Sequence, residues 1–493
     1  MILFLLWLSL IGKQGEINDR ISSMENVVTF EQFGAKGNGE DDTAPILKAI
    51  TYAKQMSWPI RLEGKKYVFS PRSTVDITGI PEWKGEGTLD LTKTGPAVGN
   101  KSMTAIFQIS GTKKLLQRKI KDVEKGRKVL WIEKNLSLKR NAVLFLTSSE
   151  ALPNPKRDYY CKGQRCVVAA YDNKTGKLEV QDPFFYSIQD ATLWWNDFQP
   201  LLKIGPDLRF ETSPMNFITC FRFYYARGIV SGYFKNFALT AIMFKSSWGT
   251  VEGMEAELPV NENNGYSYCI QVADMSDVRI IKCRLSGGRH VVSGGGGGLW
   301  EKEESGGKGH AGYPSVLEVN GGIYKGNPIV HTINEHIGTL DSHGLVERMV
   351  IRNCTVYGGI NLGANYVTVD SCIIYADKKR ILNVGSDVLP GTDWGHYTIR
   401  NCRFIGDPAT NHSLIYGKAN VKELVLEQVE VEDLRKGVYL ADLRYFTPGA
   451  TTFNRIRFKN SAQRQDNLIL KLKNGNLRID KSELTMAAVK ELD

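Results

Sequence analysis

The sequence predicts an all-β chain folded as a parallel β-helix, and three observations carry that expectation. First, Met349, Ile351, Cys354 and Val356 place apolar residues at minus five, minus three, zero and plus two around a cysteine. The same frame fits Cys283 (Val278, Ile280, Leu285), Cys372 (Val367, Val369, Ile374) and Cys402 (Tyr397, Ile399, Phe404). Second, the apolar period within each half is two, as in a strand facing a core, whereas the step from minus three to zero is odd. A flat strand would throw its second half to the wrong face, so the chain must turn a corner there. Asn353 and Asn401 sit at that corner, and asparagine tolerates left-handed backbone at modest cost. Third, weaker copies continue at Val319–Tyr324, Leu424–Val431, Ile456–Asn460 and Leu477–Ser482. The cysteines lie 71, 18 and 30 residues apart, which brackets one rung of roughly 20 to 30 residues with insertions. An ordinary β-sandwich has no reason to repeat its corner.

In chain order, residues 1–12 are strongly apolar but too short to span a bilayer. They lack a basic leader and a small-residue cleavage site, which weakens a signal peptide against two other readings, an anchoring segment or a start at Met24. Ile17, Ile21, Met24 and Val28 follow a four-three-four spacing, the seam of a short coiled coil that would gather three chains. Phe33 to Thr43 is a glycine-rich turn that leads to a helix with Ile46, Leu47, Ile50, Tyr52 and Ala53 at helical spacing, with Asp41, Asp42 and Thr43 at its start. Such a helix would close the open end of a solenoid. Residues 103–200 break the rhythm. Val129–Ile132, Ala142–Leu146 and Cys166–Tyr171 read as strands and Asp172–Gly176 as a hairpin turn, so a small β module is inserted between rungs, with Trp194 and Trp195 packed at its boundary. Rungs resume from Phe210. The organisation expected is an apolar segment and neck over 1–28, cap and first rungs over 29–102, the module over 103–200 and the main β-helix over 201–493.

The stretch Phe33-Gly34-Ala35-Lys36-Gly37-Asn38-Gly39-Glu40-Asp41-Asp42-Thr43 resembles the opening motif of the pectate-lyase-like superfamily, (F/Y)GA-x-GDG-x-x-DDT, with Asn38 in place of the more usual Asp. With the rungs, the resemblance covers most of residues 28 to 490. It implies a right-handed parallel β-helix of the kind widespread among bacteriophage tailspikes and tail depolymerases, and also among secreted polysaccharide lyases and glycoside hydrolases. The polygalacturonase residue set and the acidic calcium cluster of classical pectate lyases are not recognisable.

The 493 residues would suggest several domains on size alone, but a solenoid grows in one dimension. The net charge of +10, from 63 basic and 53 acidic residues, favours an anionic partner. No basic cluster with interleaved aromatics matches a nucleic-acid module, which leaves an acidic polysaccharide or cell envelope beside a scattered solvated surface. Of eight cysteines, four take the inward zero position of a rung, and no second close pair accompanies Cys161 and Cys166, so neither disulfides nor a metal site is expected. No cofactor and no membrane span is expected.

Six of seven histidines fall between residues 290 and 396: His290, His310, His331, His336, His343 and His396. Arg289-His290 follows the Cys283 rung and Asp341-Ser342-His343-Gly344 precedes the Cys354 rung, so stacked rungs would bring them together beside the glycine-rich stretch Gly294–Gly309. Both pieces resemble Arg-His and Asp-x-His-Gly segments of phage-type members of the superfamily. A histidine beside a carboxylate serves as general base or acid near neutral pH, which makes His343, Asp341 and His290 the candidate catalytic groups. Arg289 would bind a sugar carboxylate, and His331, Glu335 and His336 are candidates for contacting substrate. A hydrolase would need a second carboxyl beside Asp341, from Asp370, Glu335 or Glu347. Alternatively Asp341 and His343 only pin a long loop. The expectation is a tailspike-type protein, homotrimeric and joined to other tail or baseplate proteins through its N-terminus, that binds and depolymerises a bacterial surface polysaccharide. Its rivals are a non-catalytic tail protein and a secreted lyase.

Overall fold

The computed structural model describes residues 26–94, 105–152, 160–259, 267–295, 310–311, 316–326, 338–376, 381–384, 394–406, 415–417, 422–432, 441–443, 450–459, 469–472, 477–479 and 488–491. Of the coiled-coil seam expected at Ile17, Ile21, Met24 and Val28, the first three lie outside the described residues; Val28 instead begins the strand Val28–Thr29, pairs with Ile60 and is buried in the solenoid core.

One rung shows the repeating unit. Arg348–Arg352 and Thr355–Tyr357 flank the corner at Asn353 and Cys354, and Ile360–Leu362 follows Gly358-Gly359. Tyr366–Asp370 then lies parallel on Arg348–Arg352, in register from Arg348 opposite Tyr366 to Arg352 opposite Asp370. Each turn of chain supplies three strands. Stacked turns make a corner sheet of 21 strands, which holds both strands flanking the corner, and a second sheet of 13, counted among the described residues. Parallel crossovers take the right hand, so the solenoid is a right-handed parallel β-helix.

The corner is left-handed, as its sequence predicts: Asn353 and Asn401 have φ of 55° and 54°, and Lys282, Ser371 and Gln428 occupy the same bend at 52°, 56° and 52°. That conformation costs an ordinary residue roughly 1–2 kcal/mol. At the asparagines side-chain bonds along the stack offset it, with Asn353 Nδ2 donating to Asn320 Oδ1 and Asn401 Nδ2 to Asp370 Oδ1, both at 3.0 Å. Inside the corner Cys283, Cys354, Cys372 and Cys402 are buried, each Sγ set against backbone carbonyls, such as Ile281 O at 3.4 Å from Cys283 and Arg400 O at 3.1 Å from Cys402. Burial pushes the Cys283 thiol up to about 12. Early rungs fill the interior with stacked rings, Phe69 on Phe107 (5.7 Å) and Phe107 on Phe221 (5.0 Å), while later ones use Ile, Val and Leu.

Helix α1 (Thr43–Met56) packs Ile46, Ala49, Ile50 and Ala53 into the core near the first rungs. Leu47 and Tyr52, expected on its apolar face, are each 37% exposed. Asp42 does not cap the helix with its side chain. Its buried carboxylate instead accepts the amides of Lys36 (2.7 Å) and Gly37 (3.0 Å), which ties the glycine-rich turn down.

Between the rungs stands an antiparallel sheet built from Thr112–Ile120, Val129–Trp131, Val143–Ala151, Tyr160–Asp172, Lys177–Val180 and Ala191–Phe198. It has its own core of Leu144, Leu146, Cys166, Val168, Leu178 and Leu193. Ala105–Ser110, ahead of it, stacks in the second sheet of the solenoid, so the departure begins at Thr112 rather than 103. Rungs resume at Leu201–Ile204, earlier than the sequence reading at Phe210. Entry and exit lie side by side: Thr112 pairs with Phe198, and Asn196 Nδ2 donates to Thr112 O, Phe198 O and Tyr225 O at 2.8, 3.1 and 3.3 Å. Gly111 is obligatory here, since a Cβ would stand 2.2 Å from Tyr225 O and 2.4 Å from Phe198 O. The module rests on the solenoid through Val143, Phe145 and Trp194 against Met275 and Tyr225, and through Leu152 and Tyr186 against Leu345 and Trp394. Arg165 Nη1 meets Asp277 Oδ2 at 2.5 Å across the same seam.

All eight cysteines are free and buried. An aromatic disulfide reagent will therefore label none within minutes in the native protein and all eight in denaturant. Rapid native labelling of a corner cysteine would contradict this packing. Asn196→Ala leaves three carbonyls at the module junction without their shared donor and will lower stability by about 1–3 kcal/mol, read from the thermal unfolding midpoint.

Candidate functional site

Strands of the second sheet are short, and their alternation separates an inner column from an outer one. The inner column, Phe221, Ile242, Ile270, Val292, Leu340, Ile360 and Leu382, belongs to the core. The residues that follow each of them stack as Arg222, Met243, Gln271, Ser293, Asp341, Asn361 and Asn383, in register with one another, and Gln108 precedes them. Eight stacked strands at about 4.8 Å make an outer strip roughly 34 Å long, parallel to the solenoid axis and polar except at Met243; Met243, Ser293, Asp341 and Asn361 in it are buried.

The strip is bonded at both ends, from Gln108 to Arg222 and from Ser293 to Asn383. Arg222 Nη2 donates to Gln108 Oε1 (2.6 Å), Ser293 Oγ to Asp341 Oδ2 (3.4 Å), Asn361 Nδ2 to Asp341 Oδ1 (2.7 Å) and Asn383 Nδ2 to Asn361 Oδ1 (3.1 Å). A second column holds Thr219, Thr240, Tyr268 and His290, all buried. The turn Gly287-Gly288, with φ of 84° and 65°, delivers Arg289 and His290 to this sheet, and both backbone amides point at Ser267 O. The His290 ring stacks on Tyr268 at 5.9 Å and 4° between planes. Its Nδ1 lies 2.6 Å from Gly338 O; a carbonyl only accepts, so the proton sits on Nδ1. Nε2 then faces Asp341 Oδ2 at 3.7 Å.

His290 and Asp341, expected to converge from different rungs, therefore do so. Both are fully buried, so in this conformation they hold neighbouring rungs together and do not meet solvent. Arg289 is also buried. His343 lies in the strand Leu340–Gly344, with its side chain outside the described residues, as are His331, Glu335 and His336. Asp370 is not beside Asp341: it sits at the corner, bound by Arg400 Nε (3.0 Å) and Asn401, and those bonds hold its carboxyl below the usual range although burial opposes them. Glu347 is buried in the turn ahead of Arg348–Arg352 and accepts Asn365 Nδ2 at 3.1 Å. His396 belongs to the corner sheet, stacked on Tyr366 at 4.8 Å. Of the glycine-rich stretch, Gly294 and Gly295 end the strand from His290, and the backbone of His310–Ala311 runs parallel to Tyr160–Cys161 at the module edge. Among the described residues no group of three or more His, Cys, Asp or Glu is arranged to hold a metal.

Ser293, Asn361, Asn383, Gln271, Arg222 and Tyr268 were not read from the sequence. A signal for two of them exists in the parallel triplets Ile360-Asn361-Leu362 and Leu382-Asn383-Val384. The module carries a cleft of its own, about 610 Å³, lined by Lys121, Asp122, Glu150, Lys162, Gln189 and Asp190. Burial there is outweighed by bonds from Lys162 and the Gln189 amide, which hold Glu150 below the usual carboxylate range.

With the fold and the strip described, comparison with solved structures defines the class: the chain has the fold of a tailspike-type parallel β-helix. It is similar to the tailspike protein of Pseudomonas phage LKA1, with a TM-score of 0.68 at 15% identity over 92% of this chain and 78% of that one. The tailspike of Pseudomonas phage phi297 gives 0.63 at 13% identity, over 94% and 84%. The tailspike of Acinetobacter baumannii bacteriophage AP22, solved in complex with A. baumannii capsular saccharide, gives 0.56 at 14% identity, over 97% and 80%. No protein-family model and no characterised protein matches by sequence.

Asp341→Ala strips Asn361 and Ser293 of an acceptor inside the solenoid and will lower stability by about 1–3 kcal/mol, whereas Asp341→Asn, which keeps an acceptor oxygen, will cost less. Denaturant unfolding of the two variants checks the order.

Proposed function

We propose that the chain is a phage tailspike-type protein that binds a bacterial surface polysaccharide along the outer strip of the second sheet, beside the inserted module. The strip itself carries this reading. Its partly exposed members, Gln108, Arg222, Gln271 and Asn383, recur along one direction over about 34 Å and offer a linear glycan amide and guanidinium groups, while the buried Ser293, Asp341 and Asn361 between them hold the rungs. The fold shared with tailspikes, one of them solved with a capsular saccharide, supports the same substrate class. In this reading the protein acts on the virion tail as a trimer joined to other tail proteins. No helix among the described residues is long and apolar enough to cross a membrane.

A second reading, cleavage of that polysaccharide, is favoured by one observation, the imidazole of His290 facing the carboxylate of Asp341 at 3.7 Å in the middle of the strip. With Nδ1–H fixed on Gly338 O, Nε2 is the basic nitrogen and Asp341 stabilises its protonated form. Both groups are buried, so cleavage needs an opening over Asp341 that exposes them to the glycan. His343, one residue past Ser342, is the third group proposed for this chemistry, and Arg289 is proposed as a contact for a sugar carboxylate.

The test is incubation of the full chain with a panel of capsular and envelope polysaccharides, following binding, reducing ends and the ultraviolet absorbance of an unsaturated uronate. Binding without either product supports an adhesin. Absorbance supports elimination with His290 or His343 as base, and reducing ends alone support hydrolysis through Asp341. A broad panel that the protein neither binds nor cuts would overturn the proposal. In light scattering the expected particle contains three chains.

A further inference from the structure

The two ends of the outer strip differ in charge. Toward Asn383 it is amide and carboxylate; toward Gln108 it is cationic. Arg222 stands over Tyr224 with Cζ 4.9 Å from the ring centre, and Lys245, stacked on Tyr224 in the next rung, places Nζ 6.0 Å from the same ring. The module brings a third cation: Lys113, one residue inside its first strand, has Nζ 5.7 Å from the ring of Tyr225 and 4.4 Å from that of Trp194. Among the described residues, the charges acting on Lys245 are Arg222 and one carboxylate, Asp274, which is fully buried in the turn after the next strand. Arg222 and Lys245 thus stand as two cations beside one buried carboxylate, and Lys113 lies at the module edge next to the Lys114–Asp197 pair. Gln271 and Gln108 flank it on the strip.

The cations are partly withdrawn from water. Burial holds the Lys245 ammonium below its usual range, opposed by Asp274 and reinforced by Arg222. The same burial pushes the Tyr224 phenol up, against the pull of Arg222. A desolvated ammonium and guanidinium on one aromatic face gain more from an arriving anion than exposed ones do, because the interaction is screened less.

We infer that Arg222 and Lys245, with Lys113 from the module edge, form a subsite for an anionic group on the glycan, so that the polysaccharide bound along the strip is an acidic one. The inference rests on the strip being the glycan-binding surface. Arg222 lies four strands from Asp341, about 19 Å, so one oligosaccharide laid along the strip spans both. Arg222 supplies a planar fork suited to a carboxylate or phosphate, Lys245 a point charge, and the Tyr224 ring a platform between them. Lys113 reaches the same stretch from the module edge through Tyr225, the residue that follows Tyr224.

The full chain is titrated with glucuronate, glucose and inorganic phosphate, followed by ligand-observed NMR, and the same titrations are run on the double variant Arg222→Gln, Lys245→Met. The expected result is millimolar binding of glucuronate, no binding of glucose, and a loss of about tenfold or more in the double variant. Where that variant fails to fold, Lys113→Met is used, with a smaller loss expected in the same direction. Equal response to glucuronate and glucose, no response to glucuronate, or a response that survives the variants overturns the inference. Binding of phosphate without glucuronate overturns the sugar-acid assignment. The polysaccharide reading fails separately: glucuronate held by Arg222 and Lys245 in a chain that binds no polysaccharide sinks that reading and leaves an anion site. A neutral polysaccharide bound with unchanged affinity by the double variant sinks the acidic-substrate inference and leaves the tailspike reading standing.

Discussion

Every hydrogen bond between rungs requires that a residue of one turn lie over its counterpart in the next, and this in-register parallel stacking is the constraint on which the molecule depends. It converts a sequence motif into columns. Asn353, Ser371, Asn401 and Gln428 repeat one left-handed bend because the stack must turn at one place. Cys354, Cys372 and Cys402 share one inner edge because the bend leaves room there for a small apolar group. The same rule on the outer face of the second sheet aligns the residues from Gln108 to Asn383 into one column, polar except at Met243. Site and scaffold therefore share one origin.

The corner sheet was legible in the sequence because its two strands are held at fixed distance from the cysteine, and the odd step between them betrays the bend. The second sheet was not, since its strands are as short as Ile360–Leu362 and Leu382–Val384, and the connections after them differ in length from rung to rung. Tyr366 follows Arg348 by 18 residues, and His396 follows Tyr366 by 30. Counting from the corner therefore loses register before it reaches Asn361 or Asn383. His290 and Asp341 were found by another route, as chemically distinctive residues near rung ends. Asp370 was chosen by residue type alone, and its bonds to Arg400 and Asn401 show why type is insufficient: a carboxylate at a left-handed corner has structural work.

Burial divides the strip into two kinds of surface. Around Asp341 the polar groups satisfy one another, Ser293 and Asn361 from adjacent rungs, and the carboxylate is closed to solvent. Such a network stabilises its rungs and resists loss of any one partner, since a buried donor left without an acceptor costs its desolvation. Around Arg222 and Lys245 the charges are partly exposed, close to the module edge at Lys113. The first region reads as rigid frame, the second as the more open surface.

The module leaves the solenoid at Gly111 and returns at Phe198, and these two points touch, clasped by Asn196 and paired through Thr112. A solenoid strand on each side, Ala105–Ser110 and Leu201–Ile204, continues the rung stacking without reference to what lies between. The junction is thus a socket with both contacts at one spot. Any folded unit whose ends meet at the same separation can occupy it while the rungs stay in register, so a lineage carrying this scaffold can exchange the inserted unit by recombination and leave the helix, its corner and its core unchanged.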